Sequence, residues 1–167
     1  MLKHVGAGWR HFCQATLLAL ALAGSTATAQ EARPLSRGQT LYLPIYSHMF
    51  YGNIGKSGKP AHNLLSALVS IRNTDPKAAL RVRSARYYDT VGKLLAERIS
   101  GATSIPPLGT LELFVELNDA SGGSGANFII KWEADQAINP PLIESLHANL
   151  DGGKAIIFTT QAVPIND

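Results

Sequence analysis

Hydrophobic and polar residues alternate along much of this chain with a period of two, the signature of strands that bury one face. Over 110–118, Leu111, Leu113, Val115 and Leu117 take one side and Thr110, Glu112, Phe114 and Glu116 the other. Residues 126–134 repeat this, with Ala126, Phe128, Ile130 and Trp132 set against Asn127, Lys131 and Glu133. In 64–73, Leu65, Ala67, Val69 and Ile71 share a face opposite Ser66 and Ser70. The phase slips in 80–88, where Leu80 and Val82 are even but Ala85 and Tyr87 odd; a β-bulge near Ser84 reconciles them. Weaker stretches at 40–46, 93–99, 142–148 and 154–160 complete a set of about eight strands. Pro44 removes a ladder donor and predicts an edge position for the first of them. Residues 91–99 also suit a short helix through Leu94, Leu95 and Ile99; strand is preferred, and the helix stays open.

The connections carry turn chemistry. Asp89-Thr90-Val91-Gly92 joins two strands through an acid and a glycine, while Pro106-Pro107-Leu108-Gly109 and Asn139-Pro140-Pro141 each stop one run and start another. Short strands without a convincing amphipathic helix predict an all-β, antiparallel sandwich. Its expected core is Leu65, Val69, Ile71, Leu111, Leu113, Val115, Phe128, Ile130 and Trp132.

Composition changes this picture mainly at the start of the chain. Lys3 and Arg10 precede the apolar run Ala15–Ala23, and Ala27-Thr28-Ala29 is an A-x-A site, so residues 1–29 read as a cleaved signal peptide. The apolar run is far shorter than the roughly 20 residues that a membrane span needs. Residues 30–39 lack periodicity and are expected to form a flexible arm, which leaves 40–167 as a single β-sandwich domain. The 167 residues carry 15 Lys+Arg against 12 Asp+Glu. Two of the bases and none of the acids lie in the leader, so the expected mature protein is nearly neutral, which argues against nucleic-acid binding. The single cysteine, Cys13, also lies in the leader, which excludes an intrachain disulfide framework and any multi-cysteine metal site. The expected location is periplasmic or secreted from a bacterium, with no membrane span after cleavage.

Two resemblances follow from the segments. Ile71-Arg72-Asn73, Tyr87-Tyr88-Asp89, Gly92 and Pro107-Leu108-Gly109 resemble the strand ends and turns of bacterial immunoglobulin-like domains, which implies an immunoglobulin-like β-sandwich. Across nearly the whole expected mature chain, Gly38-Gln39-Thr40-Leu41-Tyr42, Ser70-Ile71-Arg72-Asn73-Thr74-Asp75, Tyr87-Tyr88-Asp89-Thr90, Ser121–Phe128 and Asn139-Pro140-Pro141 are similar to a family of short exported bacterial proteins, the domain of unknown function number 3124. That resemblance implies export and one compact domain. It supplies no activity, cofactor or catalytic residue.

Motifs that imitate chemistry fail on context. Gly52–Ser57 ends in Gly-Lys-Ser, but Phe50 stands where a phosphate loop needs its first glycine, and no helix follows. Gly122-Gly123-Ser124-Gly125-Ala126 approximates an esterase elbow, yet it joins two strands and ends in alanine. His48, His62 and His147 have no metal-site spacing. Lys77, Arg81, Arg83 and Arg86 read as a solvated sheet face. No catalytic residue, metal or other cofactor is expected.

Strand parity then locates a candidate face. If successive strands run antiparallel, the loops at 89–92, 119–126 and 150–153 share one end with 47–63, whereas Asp75, Pro106, Pro107, Asp135 and Asn139 fall at the other. The glycine-rich loop can turn free N–H groups into an anion-accepting nest. The candidate binding residues are Asp89, Asp119, Ser121, Gly122, Gly123, Ser124, Asn127 and His48. The expected function is a non-catalytic binding or interaction module for a small ligand or an envelope protein. The alternatives are a structural accessory protein of an envelope complex and a small hydrolase.

Overall fold

A computed structural model describes residues 33–150, 153 and 155–166; the expected leader and Asp151 lie outside them. Residues 33–167 fall in one compact unit, which contains the strands of the described residues. Twelve strands form, and the described residues contain no helix: β1 (Ser36–Ile45), β2 (His48–Tyr51), β3 (Ala61–Leu64), β4 (Ser66–Arg72), β5 (Leu80–Tyr88), β6 (Leu94–Glu97), β7 (Thr103–Ile105), β8 (Thr110–Val115), β9 (Ala126–Ile138), β10 (Leu142–Asn149), β11 (Ile156–Gln161) and β12 (Val163–Ile165).

All pairings are antiparallel. One sheet runs β12-β1-β9-β5-β6, with β7 also on β5; the second runs β11-β10-β4-β8. Their inner faces meet in one core that includes Leu41, Leu43, Val69, Ile71, Val82, Tyr87, Val115, Phe128, Ile130 and Trp132. The result is a β-sandwich, held by the alternation that the strands carry. The expected core residues are buried with one exception: Leu111 is half-buried against the core. Leu65 is fully buried but sits at the base of the β2–β3 hairpin, where its N–H donates to the Ser47 carbonyl (2.9 Å).

Several expectations need correction. The strand count rises from eight to twelve because β2, β3, β7 and β12 are only three or four residues long, too short to show a period. β1 begins at Ser36 and pairs there with Ile138, so part of the stretch 30–39 is strand rather than arm. β1 is also not an edge: it lies between β12 and β9. Pro44 is tolerated because β12 covers only Thr40–Tyr42. The Pro44 carbonyl turns to the Thr160 hydroxyl (2.7 Å), and the missing N–H points the same way, away from β9. Residues 94–97 are strand, which closes the helical alternative.

The phase slip in 80–88 is a bulge. Val82 faces Trp132 and Ser84 faces Lys131, so Arg83 is the additional residue, and Val82, Ala85 and Tyr87 all reach the core. The basic cluster on this strand is matched by acids. Arg81 pairs with Glu133 (3.1 Å) and Asp135 (2.7 Å), Arg83 with Glu133 (3.7 Å) and Arg86 with Glu97 (3.5 Å).

Parity holds despite the additional strands. β6 pairs with Arg86–Tyr88 and β7 with Leu80–Val82, so the two follow one another along β5 in the same direction, as a single interrupted edge strand. The far end is organised by Asp75. Its carboxylate accepts the N–H groups of Lys77 (2.9 Å), Ala78 (2.9 Å) and Asn139 (3.2 Å), which hold it below the usual carboxylate range.

Candidate functional site

The opposite end gathers the loops at 47–48, 89–92 and 119–126 that parity assigns to it. Thr90 is the fastener: its N–H and its hydroxyl both donate to the Gly122 carbonyl (3.0 Å each), and its Oγ1 accepts the Gly125 N–H (3.0 Å). Ser47, between β1 and β2, donates its N–H to the Gly123 carbonyl (3.0 Å). Three chain segments distant in sequence are thus joined by backbone-based bonds.

Beneath them stands Tyr87. Its ring is buried and stacked on Phe128 (centroids 4.9 Å apart), and its hydroxyl shares a hydrogen bond with Ser47 Oγ (3.0 Å). Burial raises its pKa, partly offset by Ser47. The Arg98 guanidinium lies 5.3 Å from the ring centroid and pairs with Asp119 (3.3 Å). A Cβ on Gly122 would land on the Tyr87 hydroxyl, and one on Gly123, whose φ is 78°, would come within 2.5 Å of Thr90 Oγ1. The glycines are there because tyrosine and threonine pack against bare backbone.

The candidate residues are therefore brought together, but their roles differ from the expectation. Asp89 accepts the N–H groups of Val91 (3.0 Å) and Lys93 (2.8 Å), closing its own turn. Asp119 accepts the Ser121 hydroxyl and N–H, and these bonds with Arg98 hold its carboxyl below the usual range against a smaller effect of burial. Both aspartates are already engaged. The anion nest is largely closed too, because the N–H groups of Ser121, Gly123 and Gly125 bond to Asp119, Ala120 and Thr90. Ser124 and Asn127 are half-buried, and their side chains make no hydrogen bond among the described residues. An open cleft of about 540 Å³ is lined by Arg98, Phe114, Glu116, Asn118 and Asp119.

The histidines separate. His48 lies in the β2–β3 hairpin, with its ring 5.3 Å from that of His62 and 4.9 Å from Phe50. Partial burial, and then the charge of His62, lower its pKa. His147 on β10 is fully buried, accepts the Tyr46 N–H at Nε2 (3.1 Å) and stacks on Phe158 (4.7 Å). Burial pushes its pKa down to about 4. Among the described residues no three His, Cys, Asp or Glu side chains gather to hold a metal. Thr90, Tyr87, Ser47 and Arg98 complete the end; in the sequence Thr90 reads only as part of a turn and Tyr87 only as one position of the strand 80–88.

His147 gives this end an acid sensitivity. Its folded pKa is below the unfolded value of 6.5, so its contribution is complete above pH 6.5 and is lost as pH falls towards 4. The loss expected over that window is about 3 kcal/mol. Urea unfolding at a series of pH values should show it in the natural protein and not in His147→Gln. A parallel decline in both would place the acid sensitivity elsewhere.

A family model described as "Protein of unknown function (DUF3124)" matches residues 38–165. No curated protein matches the chain. Among solved structures, the crystal structure of Thermotoga maritima 1070 is similar at 12% identity and a TM-score of 0.39, covering 75% of this chain and 92% of that one.

Proposed function

Because the chain belongs to the family described as protein of unknown function (DUF3124), which brings no activity with it, we propose a function from its own loop end. It is a non-catalytic binding or interaction module that meets a small ligand or an envelope protein through the end formed by residues 47–48, 89–92 and 119–127. The observation that carries this reading is the set of Thr90 and Ser47 bonds to the glycine-rich loop. A loop fixed in this way pays little ordering entropy when something binds to it. The half-buried Ser124 and Asn127, unengaged among the described residues, are the polar groups on offer there.

The same reading places the protein in the periplasm or outside the cell, on the strength of the charged, apolar and A-x-A segments of residues 1–29. Among the described residues no helix is long and apolar enough to cross a membrane.

A photo-crosslinking amino acid at Ser124, with one at Lys77 as the opposite-end control, tests both parts in the native host. The exported protein should begin at Gln30 by intact mass. A discrete adduct should form from position 124 and not from 77. Equal labelling at the two ends, or labelling at 77 alone, would overturn the binding face; an intact leader would overturn the export.

A further inference from the structure

The β2–β3 hairpin is the part of this end that the binding reading leaves unexplained. Among the described residues its two strands pair only with each other. Phe50, Tyr51 and Ile54 are 52%, 49% and 72% exposed, although large apolar side chains at a loop tip have no folding reason to face water. Lys56 and Lys59 follow them in the tip. The hairpin contains no acid at all; the next one along the chain is Asp75, at the far end of the sandwich.

The neighbouring loop tips repeat the apolar character. Val91 is exposed next to the Thr90 fastener. Leu150 is exposed just after Asn149, whose side-chain amide donates to the Leu64 carbonyl at the foot of β3 (2.9 Å). Asp89 and Asp151 accompany those two tips, but the β2–β3 hairpin has no acid. An aromatic and aliphatic tip flanked by lysine, without carboxylates, is what a lipid interface accommodates: rings enter the headgroup boundary and ammonium groups stay at the level of the phosphates. A partner protein would need a matching apolar pocket; a bilayer needs only negative charge.

We propose that the β2–β3 hairpin docks this domain peripherally on an anionic membrane surface, with Phe50, Tyr51 and Ile54 entering the interface and Lys56 and Lys59 on lipid phosphates. This assignment does not depend on the binding role of Ser124 and Asn127. It orients the domain with its loop end towards the bilayer.

Sedimentation with vesicles tests it, using the expected exported chain from Gln30, which holds the strands and the core of the described residues. Vesicles of phosphatidylglycerol and phosphatidylcholine in equal parts should bind the protein, and pure phosphatidylcholine should bind it far less. Phe50→Ser/Tyr51→Ser/Ile54→Ser should reduce binding at least tenfold without changing the melting temperature. Each of Lys56→Gln and Lys59→Gln should cost roughly fivefold at low salt. Ser124→Ala should leave vesicle binding unchanged, which separates this proposal from the ligand-binding one. Absence of binding to the anionic vesicles, or equal binding by the hairpin variants, would overturn it. So would a hairpin-dependent dimer that binds no lipid, because the face would then be covered by a second copy.

Discussion

Replacing Asn73 by alanine is expected to cost on the order of 3 kcal/mol, measured as a shift in urea midpoint at unchanged slope. The side chain is buried at the far end of the sandwich, and its amide nitrogen donates to the carbonyls of Ala78 (2.8 Å), Ile105 (3.2 Å) and Pro106 (3.0 Å). Its Oδ1 accepts the Asp75 N–H (3.0 Å). One residue thus ties the end of β4 to the strand before β8 and to the start of β5. Truncation takes a donor from all three carbonyls at once. Pro106 keeps the Gly109 N–H (2.9 Å), but the Ile105 carbonyl is buried, and a buried acceptor left short of a partner is costlier than the bond it lost. Asn73→Asp keeps the shape but presents a carboxylate to the same three oxygens, so it should be no better than alanine at neutral pH. If either substitution cost less than about 0.5 kcal/mol, the hub would have no energetic role.

Gly122→Ala is expected to destabilise by a similar amount, about 3 kcal/mol, through overpacking. The added methyl meets the Tyr87 hydroxyl and comes within 2.7 Å of the Ala126 Cβ. Tyr87 has little room to retreat, being stacked on Phe128 and bonded to Ser47. A double-mutant cycle gives this prediction its specificity. Tyr87→Phe removes the nearest atom that the methyl strikes and leaves the ring carbon at 2.8 Å, so the double variant should be partly relieved and more stable than the sum of the single effects allows. Strict additivity would show that the clash is relieved some other way, and the contact between glycine and tyrosine would then not be what fixes the loop.

What the sequence reveals and what it hides follow from how far each feature depends on local pattern. β5 and its bulge are legible because a hydrophobic phase cannot slip without an additional residue, and Arg83 is that residue. β4, β8, β9 and β10 are legible because each buries one face over six or more residues. The β2–β3 hairpin is not, since Phe50 and Tyr51 point to opposite faces and both stay exposed, so no alternation exists to read. Parity brings Asp89 and Asp119 to one end correctly. It cannot show that their carboxylates are spent on Val91, Lys93, Ser121 and Arg98, because that depends on turn geometry. Thr90 is hidden for a related reason. A threonine between Asp89 and Gly92 looks like any turn residue until the glycine-rich loop, 32 residues on, is seen to rest against its hydroxyl.

The central claim is that this loop end is preorganised, three segments fastened into one face before anything binds. Amide hydrogen exchange measures it directly, because loops without such fasteners exchange at close to open-chain rates. The N–H groups of Ser47, Thr90 and Gly125 should be protected to an extent comparable with the strands β5 and β9, and Thr90→Val should release Gly125 while leaving those strands unchanged. Open-chain exchange at all three positions in the natural protein would contradict the account.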